Sequence, residues 1–212
     1  MSNSPSSEDM TTLEKREEWY RTHTCFPTPN DVADQIARVQ WLQAENQKEA
    51  FHRVLDIGCH DGFSTRWLLR TPNLSYLFGV DLCESAITAA RAMVNGAPLA
   101  DRTDYRELGF TEIPHKPGRF DVAVGFELIE HLEDADAREF LRTMHKHLCV
   151  GGRGFVTTPH IDGAYGSINP DPAHINLFDT DRLREMIASE LGVEPLVRDP
   201  GGSIWACWRK EA

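Results

Sequence analysis

Arg53-Val-Leu-Asp-Ile-Gly-Cys-His-Asp-Gly-Phe-Ser-Thr65 is the stretch whose reading decides the fold. Val54, Leu55 and Ile57 make a short apolar run, the pattern of a buried parallel strand. Gly58 and Gly62 bracket a tight turn. Ser64, Thr65 and Trp67-Leu68-Leu69 read as the helix that follows. Strand, glycine-bearing turn and helix together bring backbone close to a nucleotide-like ligand.

The details of the turn separate two ligand classes. A dinucleotide fingerprint requires Gly-x-Gly-x-x-Gly. The spacing here is Asp56-x-Gly58-x-x-x-Gly62, with a carboxylate ahead of the first glycine and Asp61 inside the turn. An anionic turn suits a cationic or zwitterionic ligand better than a pyrophosphate. About 20 residues further on, Tyr76-Leu-Phe-Gly-Val80 reads as a second strand that ends at Asp81. A carboxylate in that place can accept hydrogen bonds from both hydroxyls of a ribose.

On these residues the chain resembles the class I S-adenosylmethionine-dependent methyltransferases. Their first motif is commonly Asp-x-Gly-x-Gly-x-Gly; Asp56, Gly58 and Gly62 match it, and His60 stands at the middle glycine. The likeness runs from about Arg53 to Arg209. It implies a doubly wound α/β fold with a mostly parallel, Rossmann-like seven-stranded sheet, preceded by N-terminal helices. It also implies S-adenosyl-L-methionine as cofactor, with Asp56, Gly58, Cys59, Gly62, Asp81, Leu82, Leu108, Phe126 and Glu127 around it. The family's adenine-contacting positions fall near Glu107, Leu108 and Gly109.

Size and charge set limits. The 212 residues fit one α/β domain with N-terminal additions: a disordered tail over 1–9, a helical cap over 10–50 and the methyltransferase domain over 51–212. With 22 Lys and Arg against 33 Asp and Glu, the formal charge is −11, which argues against a broad phosphate-binding surface. Five cysteines with no Cys-x-x-Cys pair fit a reduced, cytoplasmic setting. No run of about 18 apolar residues predicts a membrane span, and the polar N-terminus has no secretory h-region.

Along the chain, Thr11 to Arg21 is helical by composition, Cys25-Phe-Pro-Thr-Pro29 breaks it, and Asn30 can cap a second helix striped by Val32, Ile36, Val39 and Leu42. Trp19, Tyr20 and Phe26 either close over the cofactor as a lid or pack on the sheet edge. Glu84 to Asn95 is an alanine-rich helix, Asp104 to Leu108 a third strand, and Pro114 to Arg119 a loop. Phe120 to Phe126 is a fourth strand and Asp134 to Leu148 a helix. Val150-Gly-Gly152 reads as a turn into the strand Gly154 to Thr158. A long loop over 159–178 leads to a helix over 182–190 capped by Asp179 or Thr180, and loops of that length inside compact domains are usually functional. Strands near 194–197 and 203–208 close the sheet around a Gly201-Gly202 hairpin turn, the last strand running antiparallel as in the family. Trp205 and Trp208 read as sheet residues. His145 and His147 read as surface residues.

Glu127, Glu130 and His131 stand at the end of the fourth strand, on the edge where open parallel sheets bind ligands. One helical turn there can set Glu127 beside either of the others. Two carboxylates and an imidazole can hold Mg²⁺ or another divalent metal. The segment resembles the Glu-x-x-Glu-His of small-RNA terminal 2′-O-methyltransferases, where it serves metal, and the Glu-His element of ubiquinone-biosynthesis O-methyltransferases. The other reading is an acid capping backbone amides and a histidine packed beside the cofactor. Glu130, His131 and His174 are the candidate catalytic residues, His174 for substrate contact or as general base, and His160 or His174 as a further ligand.

The expected activity is O-methylation of a small-molecule or sugar-like acceptor, since methyl transfer from a sulfonium needs alignment, exclusion of water and removal of a proton. The alternatives are a metal-dependent RNA 2′-O-methyltransferase, which the acidity disfavours, and a catalytically silent cofactor-binding protein. The glycine spacing sets a nicotinamide dehydrogenase far behind.

Overall fold

The computed structural model describes residues 29–45, 52–70, 73–97, 100–114, 116–161 and 173–212. The expected helix over 11–21, the aromatics Trp19, Tyr20 and Phe26, and most of the long loop lie outside them.

Seven strands form one sheet: β1 (Arg53–Ile57), β2 (Tyr76–Asp81), β3 (Thr103–Glu107), β4 (Phe120–Phe126), β5 (Leu148–Pro159), β6 (Leu196–Arg198) and β7 (Ser203–Arg209). Their order across the sheet is β3-β2-β1-β4-β5-β7-β6. The first five are parallel to one another, while β7 runs antiparallel to both β5 and β6. Chain order turns back between β1 and β4, so a crevice opens at the carboxyl ends of these strands. The helices are α1 (Pro29–Glu45), α2 (Phe63–Leu68), α3 (Glu84–Val94), α4 (Asp134–His147) and α5 (Thr180–Leu191).

Burial explains why the central strands read as apolar runs. In β1 every residue after Arg53 is buried, and in β4 all but Asp121. Both faces are covered. Beneath one face Leu55, Phe78, Phe120, Phe140, Phe155's neighbour Val156, Phe178 and Trp208 pack together. Beneath the other Val54, Leu68, Leu77, Val122, Phe155 and the α1 residues Val39, Trp41 and Leu42 do so. Trp41 meets Phe155 edge-on at 5.2 Å and lies 5.3 Å from Trp205, which fastens α1 to the sheet.

Several boundaries differ from the sequence reading, each for a local reason. Helix α1 begins at Pro29, ahead of the Asn30 expected as its cap; proline suits the first helical turn, where its missing N–H costs nothing. Gly151 and Gly152 lie inside β5 rather than in a turn before it. The ladder with β4 slips between Phe120 and Val122, and Gly151 N–H reaches the carbonyl of Lys210 instead. His147 is buried at 3% exposure, edge-on to Phe120, because the last turn of α4 packs down on the start of β4. Asp179 is the cap of α5, its carboxylate accepting from the Arg182 N–H. Gly192, in the left-handed region, ends that helix.

Candidate active site

The turn after β1 is built by positive φ at Gly58 (73°), His60 (48°) and Gly62 (75°). At Gly58 a Cβ would stand 3.0 Å from a Leu128 methyl. At Gly62 it would stand 2.9 Å from Met93, so glycine there lets α3 approach. Gly58 and Cys59 donate N–H bonds to the Val80 carbonyl, which ties the turn to the end of β2.

Asp81 closes the same arrangement. One carboxylate oxygen accepts from the His60 N–H at 2.9 Å and the other from the Cys83 N–H at 2.9 Å. Each oxygen keeps a second acceptor direction for a ligand hydroxyl. Position 60 thus reaches Asp81 through its backbone, and the side chain that replaces the usual glycine turns to Asp61, whose hydrogen bond raises the His60 pKa. Leu108 N–H donates to the Asp81 carbonyl, and Leu82 lies 3.8 Å from the Cβ position of Gly109. Asp56 is buried inside β1 and Cys59 is buried in the turn, its thiol pKa raised by burial and by Asp56. A cavity of about 380 Å³ lies between α3 and the chain after β3; of the candidate residues, Glu107 and Leu108 line it.

Beyond β4 the chain bends sharply. Glu127 takes φ 50°, a left-handed conformation that costs a residue with a Cβ about 1–3 kcal/mol and points to a functional constraint. Its carboxylate meets Arg38 of α1 at 3.1 Å, and Arg38 is only 8% exposed. Leu128 then covers Gly58, and a short helical turn, Ile129–His131, follows.

Glu130 is buried at 1% exposure, and neither carboxylate oxygen has a hydrogen-bond partner of good geometry among the described residues. Burial, and then the Glu127 carboxylate, push its pKa well above the usual carboxylate range; its own backbone amide and the Thr158 hydroxyl offset this only in part. His131 Nδ1 lies 3.0 Å from the Ala173 carbonyl, which can only accept, so that bond puts the proton on Nδ1 and turns the Nε2 lone pair toward Glu130 at 3.9 Å. The His174 ring lies 4.8 Å from that of His131. Ligand atoms of Glu130, His131 and His174 all fall within 4.8 Å of one another.

The trio expected from sequence was Glu127, Glu130 and His131. The structure puts His174 in the place of Glu127, because the left-handed bend sends Glu127 toward Arg38 on the α1 side of the sheet. His160, the other loop histidine, faces Asp199 at 3.9 Å. Arg38 was missed from sequence. Its signal was a lone arginine on an otherwise apolar helical stripe, which the acidic overall composition masked. A buried carboxylate whose oxygens lack well-formed hydrogen bonds, set beside two imidazoles, is a ligand set of the kind that could hold a divalent cation.

Comparisons with known proteins agree with this architecture. Residues 54–152 match the family described as a methyltransferase domain. A ubiquinone biosynthesis O-methyltransferase of Pseudomonas aeruginosa is 30% identical over 142 residues, which are 66% of this chain and 57% of that protein. This chain thus spans little more than half of that relative's length. Among solved structures, the methyltransferase domain of a bacterial CtHen1 superposes with a TM-score of 0.70 at 17% identity, covering 84% of this chain and 99% of that one. The [4+2]-cyclase SpnF superposes equally well, at 0.70 and 18% identity over 91% and 86% of the two chains. The match over 54–152 and the relatives at about 30% identity support a class I methyltransferase, and the seven-stranded sheet is the fold these solved structures share. SpnF shows that the fold alone does not fix the reaction. No described helix is long and apolar enough to cross a membrane.

Asp81→Ala is expected to weaken binding of S-adenosylhomocysteine by about 1–3 kcal/mol, because it strands the ligand hydroxyls and the His60 and Cys83 N–H groups together. Unchanged affinity in calorimetry would remove Asp81 from the ribose subsite.

Proposed function

We propose that the chain is an S-adenosylmethionine-dependent O-methyltransferase whose acceptor is a hydroxyl of a small molecule or sugar-like metabolite. The observation that carries this reading is the convergence of Glu130, His131 and His174 beside the residue that covers Gly58.

When bound, the cofactor supplies an electrophilic methyl group on a sulfonium. The chain's residues do the rest. Asp81 holds the sugar hydroxyls, with Leu82 and Leu108 beside the base. Arg38 and Glu127 present opposite charges 3.1 Å apart, a match for the carboxylate and ammonium of an amino-acid head. Asp56, Cys59 and Phe126 pack beneath, all buried. Glu130, whose pKa is raised first by burial, is the base that takes the acceptor's proton. Glu130, His131 and His174 together would hold a divalent cation, whose charge makes a bound hydroxyl easier to ionise. The described cysteines are unpaired thiols, which supports a reducing, cytoplasmic setting.

The same trio favours a second reading, transfer to a terminal 2′-hydroxyl of RNA, against which stands the net charge of −11. The test is methyl transfer from labelled S-adenosylmethionine to a panel of catechols, sugar-like alcohols and a short RNA, with Mn²⁺ or with a chelator. Transfer to a small hydroxyl compound, reduced at least about tenfold by the chelator, is the expected result. Transfer to RNA alone would establish the second reading. Cofactor binding with no transfer would leave a binding protein.

A further inference from the structure

The two arms that carry the trio come from distant parts of the chain. Glu130 and His131 sit in the turn that leads into α4, and His174 sits in the segment that leads into α5. Close to the trio they are pinned by backbone. The Glu130 carbonyl accepts from the N–H groups of Ile175 and Asn176, both at 3.0 Å, and the Ala173 carbonyl meets His131. Further out, one side chain spans both arms. The Arg182 guanidinium donates to the Leu177 carbonyl and the Asn176 side-chain oxygen on the His174 arm. The same fork reaches Asp134, at the start of α4, at 3.3 Å. Arg182 is itself fixed: its N–H is held by Asp179 at 2.7 Å, and its guanidinium lies 4.7 Å from the centre of the buried Phe178 ring.

We propose that Arg182 is a positioning residue for the Glu130–His131–His174 site, a clamp that sets His174 at its working distance from the other two side chains. This rests on the cation reading of that trio given above. An arginine suits the task because its planar fork presents several donors in fixed directions, and here it has three acceptors to serve on two arms. As an exposed ion pair alone, Arg182 with Asp134 would matter little. Its weight lies in the carbonyl and the amide oxygen it holds on the segment that ends in Phe178. Asn176 is 5% exposed, so when the fork is gone its side-chain oxygen is left buried without that donor. The strain is relieved by movement of 173–178, and His174 moves with it.

The experiment uses Mn²⁺ alone as the probe, titrated by electron paramagnetic resonance into the whole protein, its Arg182→Ala and its Arg182→Lys forms. Calorimetry with S-adenosylhomocysteine runs in parallel. Removal of an outer support of a metal site typically costs about 10- to 100-fold in affinity. Arg182→Ala is therefore expected to weaken Mn²⁺ by about tenfold or more, with nucleoside affinity unchanged. Arg182→Lys, which keeps the charge and loses the fork, should fall between it and the parent. Equal Mn²⁺ affinity in all three overturns the clamp while leaving the cation site intact. Parallel loss of Mn²⁺ and nucleoside binding also overturns it, since that marks general unfolding. A parent protein that takes no Mn²⁺ overturns the cation reading itself, an outcome visible before any variant is made.

Discussion

Glu130→Gln is expected to lower turnover by about 100-fold or more and to abolish Mn²⁺ binding, while the ion-free protein melts at the same temperature or higher. The two halves of this result have one cause. The carboxyl group is buried, its oxygens lack well-formed hydrogen bonds, and the Glu127 carboxylate is near enough to oppose its ionisation. Without a cation, ionising it is costly, so a neutral amide of the same shape removes a burden from the fold. With a cation, or with a hydroxyl to deprotonate, the negative charge is what the site needs. Thermal melting, Mn²⁺ titration and methyl transfer on one variant separate the two. A Gln variant with full turnover would exclude Glu130 from the chemistry.

The second large effect concerns stability. Gly154→Ala is expected to cost about 3 kcal/mol, read as a lowered urea midpoint with an unchanged slope. A Cβ at 154 would lie 2.1 Å from Cζ2 of Trp208 and 2.3 Å from its Cε2. Trp208 is 2% exposed and among the largest fully enclosed side chains, so the indole cannot swing aside. Nor can the strand, because β5 is hydrogen-bonded to β4 on one edge and β7 on the other. Gly125, whose Cβ would stand 2.3 Å from Phe140, repeats the pattern in β4. At both positions a ring occupies the volume that a side chain would fill.

These two effects also mark where sequence reasoning reaches and where it stops. The glycine turn, Asp81 and the strand Phe120–Phe126 are local features: an apolar run bounded by turn residues is stamped with its period and its ends. The Glu130–His131 pair was legible for the same reason, being close neighbours in the chain. His174 was singled out as a candidate, but its pairing with His131 across the sheet edge depends on how the 173–178 segment docks on the Glu130 carbonyl, which no spacing encodes. The diversion of Glu127 follows from one left-handed residue, a conformation that composition does not announce for glutamate. Gly151-Gly152 was misread as a turn because paired glycines usually make one. Here the neighbouring Lys210 backbone pairs with both, and the strand runs on through a left-handed φ of 82° at Gly151. His147 was placed outside because it ends a polar helix, yet that end lies against Phe120.

The antiparallel entry of β7 has a consequence for how the molecule comes apart. In the order β5-β7-β6, the edge strand β6 is hydrogen-bonded to the sheet through β7 alone. β7 is therefore the hinge pin of that border, and loosening its ladder with β5 frees β6 and β7 together as one hairpin.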